Sequence, residues 1–144
     1  MKRLPARSGE RALAVRVAAT VVAVKLGLRW VALPRLMRWL TPGRPLRVVD
    51  PALLEPEIRY TNATLARLPG GGRSACLPRS LALYRLARRR GFAARVHCGV
   101  RRNGGGLIGH AWLTVDGVPL LPSEEAAGWV ETYTFPPGRE RRVC

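Results

Sequence analysis

Acidic side chains are scarce in this chain: 9 Asp+Glu stand against 25 Lys+Arg in 144 residues, a formal net charge of +16. Lysine is nearly missing too, with Lys2 and Lys25 alone among the cations and arginine supplying the rest. Such a bias partly follows GC-rich codon usage and is discounted as a binding signal. The field itself still attracts acidic peptides, anionic lipid or nucleic acid. Cysteine is sparse and odd in number (Cys76, Cys98 and Cys144), and no CxxC pair occurs. A disulfide framework is therefore not expected, and a reducing, cytoplasmic compartment is. Long apolar runs are absent as well. The most hydrophobic stretch, VAATVVAV at 17–24, lies between Arg16 and Lys25, far short of the ~20 residues of a membrane span. No small-residue cleavage site follows it, which argues against a signal peptide. Burial against the domain is the expected fate of this helix, with peripheral contact to a membrane surface left open.

What is present suffices for one compact domain: hydrophobic residues make up 47% of the chain, which excludes a disordered basic tail. Residues 10–33 hold no proline and read as a mostly apolar helix with Arg11, Arg16, Lys25 and Arg29 on a minority of its surface. Pro34 interrupts it before a further short helical turn over 35–40. Five prolines and glycines at 42, 43, 45, 51 and 56 mark a connector over 41–56 with little regular structure. A helix is expected over 58–68, then a break at Pro69-Gly70-Gly71-Gly72. A strong helix follows over 77–90, with Pro78 in its first turn and Gly91 past its end. Arg88, Arg89 and Arg90 suit the negative end of that helix better than they suggest a nucleic-acid patch.

From Ala93 the hydrophobic period changes to two, as in strands. Arg95, His97 and Gly99 alternate with Ala94, Val96, Cys98 and Val100. A loop over 101–106 precedes a second strand over 110–115, and Asp116-Gly117 signals a tight hairpin to 118–121. A last strand is expected over 129–135. Helices followed by an antiparallel sheet give an α+β domain.

Cys76 stands at the start of the best helix, where backbone N–H groups and the dipole favour a nucleophilic thiolate; a small buried hydrophobe is the plainer reading. Cys98 fits that plainer reading on its strand's apolar face, and Cys144 forms no prenylation motif. His97 shares a face with Arg95 and is expected to be exposed. His110 shares one with Trp112 and Thr114. A thiol and an imidazole brought together from a helix start and a strand can attack a carbonyl and protonate a leaving amine. The spacing of Cys76, His97, Cys98 and His110 fits no zinc module, since His97 and Cys98 point to opposite faces. Gly70-Gly71-Gly72-Arg73-Ser74 lacks the GK[ST] of a phosphate loop.

The block CLPRSLALYRLARRRGFAARVHCGVRR, followed by GHAWLTVDGVPL, resembles the lasso-peptide leader peptidases. These are transglutaminase-like cysteine proteases of the type found as C-terminal domains of microcin-processing proteins. The likeness runs over about 73–121 and rests on C-L-x-x-S-L-A-L, R-R-x-G and H-A-W in this order. It implies a catalytic helix packed on an antiparallel sheet, as in transglutaminase and papain-like enzymes, with Cys76 as nucleophile, His110 as general base and no cofactor. It places a helical segment and Pro-rich connector over 1–56 and the peptidase core over 57–144. The family carries an acid about a dozen positions after the histidine, where this chain has Pro122-Ser123. A hairpin at Asp116-Gly117 sets Ser123 opposite His110, so Glu124, or else Glu125, is the nearest carboxylate, and Glu124 is favoured. Asp116 lies ~20 Å along the strand from His110 and reads as a turn former.

The resemblance implies leader removal from a ribosomally made precursor peptide. A separate leader-recognition protein would deliver the precursor, and an ATP-dependent lasso cyclase would take the freed core. An acyl transferase or amidase using the same Cys-His pair stays open. An Arg-rich nucleic-acid binder is the alternative from another class, opposed by the even spread of arginine and the lack of aromatic-basic interleaving.

Overall fold

Val17, Val21 and Val24 recur at helical spacing and form the fully buried inner face of the first helix, α1 (Leu4–Trp30). The computed structural model describes residues 4–43, 46–70, 75–121 and 128–137. After α1 come α2 (Leu33–Leu40), α3 (Glu55–Arg67) and α4 (Cys76–Arg89), then β1 (Ala94–Asn103), β2 (Gly106–Val115), β3 (Val118–Pro119) and β4 (Val130–Phe135). Helices followed by one antiparallel sheet, ordered β3-β2-β1-β4, make the expected α+β fold.

Two features of the helical half differ from expectation. The first helix begins at Leu4 rather than near residue 10. The connector is also less irregular than its prolines suggest. Asp50 Oδ1 accepts the Ala52 N–H at 3.0 Å and opens a 3₁₀ turn over Pro51–Leu54, after which α3 starts at Glu55. Pro51 and Pro56 each occupy a first helical turn, where no intrahelical partner waits for the missing N–H, so they start helices instead of breaking them.

Nearly every side of α4 is covered: Leu81, Ala82, Leu83, Tyr84, Leu86 and Ala87 are all buried. The helix contacts α1, α2 and α3 as well as the sheet. Its core neighbours include Val17, Val21 and Val24 of α1, Met37 of α2, Leu65 of α3, and Val96, Leu113 and Val115 of the sheet. A large apolar side chain fully removed from water contributes roughly 1.5–3 kcal/mol, so this shared core fixes where α4 begins and ends. Tyr84 ties it to two distant segments. The Thr41 hydroxyl donates to the Met37 carbonyl, which leaves it to accept from Tyr84 Oη at 2.7 Å. The Tyr84 ring meets Phe135 of β4 edge-on, with centroids 6.2 Å apart. At the other end Arg90 Nη1 donates to Glu57 Oε1 at 2.7 Å and to the Leu53 carbonyl at 2.6 Å, while Arg88 Nε donates to the Ala94 carbonyl at 3.0 Å. Arg88 and Arg90 thus hold the fold together at the helix terminus.

The sheet is longer than its sequence suggests. The stretch expected to loop over 101–106 continues the ladder to Asn103↔Gly106. Gly104 (φ +56) and Gly105 (φ +91) both adopt left-handed backbone, so two residues suffice to reverse the chain. Asp116 (φ 51) and Gly117 (φ 81) do the same between Val115 and Val118.

One irregularity has large effects. On β4, Tyr133 pairs with Cys98 but Glu131 pairs with Gly99, which leaves Thr132 as an extra, bulged residue. The strands approach closely there. A Cβ on Gly99 would lie 2.9 Å from the Val130 carbonyl oxygen and 3.1 Å from Trp112 Cζ3. Both neighbours are held by the ladder, so Gly99→Ala should cost about 1–3 kcal/mol. Urea denaturation would register this as a lower midpoint with an unchanged slope.

Candidate active site

Pleating divides the sheet's chemistry between two sides. Ala94 and Val96, opposite Val115 and Leu113, face the core with α4. Cys98, opposite Ala111, shares that side. His97, Gly99, His110, Trp112 and Thr114 belong to the other side.

Cys76 is the first residue of α4, half-buried and free of any disulfide, as is Cys98. The two thiols are near neighbours. Burial pushes the Cys98 thiol up, with Cys76 and then Glu131 adding to the effect. Cys98 is therefore held protonated, as befits a core residue, and the helix-start thiol is the nucleophile candidate.

On the other side the rings form a continuous stack. His97 lies parallel to Trp112 (centroids 5.4 Å, 9° between planes), and His110 stacks on Trp112 at 6.0 Å and meets Trp129 at 5.0 Å with the rings tilted by 30°. The Arg101 guanidinium caps the stack 4.4 Å from the Trp129 centroid, a cation–π contact. His97 is more enclosed than expected, its side chain 13% exposed. Glu131 Oε2 only accepts, so His97 Nδ1 donates to it at 3.2 Å, and the Thr114 hydroxyl lies 2.9 Å from Nε2. Thr134 donates to the other oxygen of Glu131. An imidazole oriented by a carboxylate is thus assembled around His97, whereas no carboxylate contacts His110 among the described residues.

The His110 imidazole is pushed toward its neutral form, first by burial and then by the charges of Arg79 and Arg101. A neutral ring is the form that accepts a proton from a thiol. Arg79 lies three residues after Cys76 on α4, hence on the same helix face, and its Nε is buried with no hydrogen-bond partner among the described residues. The thiol-bearing end of α4 and the His110 ring therefore share Arg79 as a neighbour. No hydrogen bond joins Cys76 and His110 among the described residues, and His110 springs from the side of β2 away from Cys98. Arg79→Leu should raise the His110 pKa toward its ordinary value. The acid limb of the kcat/KM profile, and the ring's NMR titration midpoint, should move to higher pH together.

The remaining candidates separate clearly. Glu124 and Glu125 lie outside the described residues, as does Ser123, and so does Cys144. Asp116 is exposed in the β2–β3 turn, its backbone N–H bonded to the Ala93 carbonyl, which is the place of a turn former. Glu131, Trp129 and Arg79 were missed from sequence. A helical i, i+3 relation to Cys76 is the signal that points to Arg79.

A family model described as the transglutaminase-like superfamily matches residues 15–134. No curated protein and no solved structure matches the chain.

Proposed function

Because the chain belongs to the transglutaminase-like superfamily, whose fold carries thiol-based peptidase and acyl-transfer chemistry, we propose that it is a cytoplasmic cysteine peptidase that removes the leader from a ribosomally made precursor during lasso-peptide biosynthesis. The observation that carries this reading is the neighbourhood built around Arg79: a helix-start thiol one turn away, and a histidine whose neutral form the same arginine favours. Cys76 Sγ gives its proton to His110 and attacks the scissile carbonyl, forming a tetrahedral oxyanion. The Cys76 backbone N–H at the helix start is the natural donor to that oxygen. Collapse of the intermediate breaks the C–N bond as His110 protonates the leaving amine. Water, deprotonated by His110, then hydrolyses the thioester and restores the thiol. Proton transfer needs the ring within ~3 Å of the sulfur, and Glu124 is the acid assigned to orient the ring.

A separate recognition protein would deliver the precursor's leader, and an ATP-dependent cyclase would consume the freed core N-terminus. The test is mass spectrometry of a candidate precursor incubated with the chain and that recognition protein. Hydrolysis at one bond, lost in Cys76→Ala, supports the reading. An amine adduct at the same carbonyl would make the chain an acyl transferase. An intact precursor together with a Cys76 inert to iodoacetamide would overturn thiol catalysis altogether.

A further inference from the structure

Only one side of α1 is used by the fold. Val17, Val21 and Val24 are buried, yet the opposite side is apolar as well. Val15, Ala19, Val22, Leu26 and Trp30 recur three or four residues apart and form a stripe over residues 15–30 of the helix. Its large members are open to solvent: Val15 is 69% exposed, Val22 42%, Leu26 53% and Trp30 81%. Ala23 widens the stripe, whose one polar atom is the indole N–H of Trp30. At roughly 100° per residue, Arg11, Lys25 and Arg29 line one edge of this face and Arg16 the other. Glu10 is the only acid in the helix and falls on neither edge.

A face of this kind exposes too much contiguous apolar surface to be a neutral exterior. The outer side of a single helix is convex and fits a partner's groove as well as a bilayer interface, so the charges beside it decide what covers it. Cations on both edges and a tryptophan at one end are the features of a helix lying in a bilayer interface, with apolar side chains among the acyl chains and cations reaching the headgroups. No helix among the described residues is long and apolar enough to cross a membrane, so the contact is peripheral. The net charge of +16 supplies long-range attraction of the matching sign.

We propose that the outer face of α1 docks the protein on anionic lipid, with Val15, Val22, Leu26 and Trp30 entering the interface and Arg11, Arg16 and Arg29 meeting lipid phosphates. The inference does not depend on the peptidase reading, since none of these residues belongs to the catalytic machinery.

The test is co-sedimentation of the full chain with vesicles of phosphatidylglycerol and phosphatidylcholine, against pure phosphatidylcholine. Binding to the anionic vesicles should be at least about tenfold tighter and weaken with salt. Val22→Asp and, independently, Trp30→Ser should each weaken it by about tenfold or more without lowering the melting temperature, since both positions face solvent. Three results would overturn the proposal. One is no sedimentation with anionic vesicles. Another is binding unchanged in both variants, which would make the attraction a matter of charge alone. The last is a concentration-dependent dimer that Val22→Asp dissociates with no vesicle binding, which would assign the face to a second copy of the chain.

Discussion

Cys76→Ala should abolish leader cleavage, with kcat/KM falling by about 10³-fold or more while the melting temperature stays near that of the unaltered protein. The loss is large because the sulfur forms and breaks the covalent bond to substrate; without it only binding and oxyanion stabilisation remain. The fold should survive because Cys76 is half-buried at a helix start, and alanine is a small helix former. His110→Gln should lose nearly as much. Thiol and imidazole act as a unit, so the double variant should be no worse than either single one. Cys98→Ala should retain cleavage, since that thiol faces the core and is held protonated. Initial rates over these variants, with precursor cleavage followed by mass spectrometry, check the assignment. His97→Gln is the discriminating control. Should it stop the reaction while His110→Gln does not, the base is the His97–Glu131 couple, and the role of His110 is overturned.

Tyr84→Ala should be the most damaging substitution away from the site, costing about 3–5 kcal/mol. Against a total stability of roughly 5–15 kcal/mol for a domain of ordinary size, that leaves little. Its ring is fully buried, and α4 packs through it against β4 and the end of α2. Tyr84→Phe separates packing from hydrogen bonding. The Thr41 hydroxyl keeps its own acceptor, the Met37 carbonyl, so the phenylalanine removes a single hydrogen bond at about 1 kcal/mol. Urea denaturation of the two variants, read as midpoints at constant slope, tests both values. A loss in Tyr84→Phe as large as that in Tyr84→Ala would mean that the Thr41 contact, and not the ring, holds these elements together.

Why some of this was legible in the sequence and some was not follows from particular residues. Strict alternation along β2 assigns His110, Trp112 and Thr114 to one side and Ala111, Leu113 and Val115 to the other, and the structure keeps that division. Sequence likewise marks α1 as a mostly apolar helix, and the structure shows that Val17, Val21 and Val24 are the side chains it buries. The same logic fails at β4: in VETYTF, alternation groups Glu131 with Tyr133 and Phe135, and so with the core. The bulge at Thr132 turns Glu131 to the other side, where it meets His97. A bulge depends on how two strands meet, and one strand's pattern does not record it. His97 is enclosed for a similar reason, since its cover comes from Trp112 and Glu131 on neighbouring strands. The hairpin at Gly104-Gly105 reads as a loop in sequence because glycine pairs mark loops and two-residue turns alike. Sequence leaves surface contact of α1 with a membrane open but does not mark which face would make it, because a helix apolar on two sides reads simply as apolar.

The bulge also governs how β4 can diverge among related proteins. Pairing Gly99 with Glu131 while skipping Thr132 means that a shorter β4, lacking Thr132, would keep the carboxylate opposite the same glycine and restore an unbroken ladder. A strand of unchanged length that lost the bulge would instead pair Thr132 with Gly99 and send Glu131 to the core side. In this strand a change of length preserves the chemistry and a change of register destroys it. An alignment of relatives should therefore tolerate a one-residue gap here and look for the acid in either of two columns.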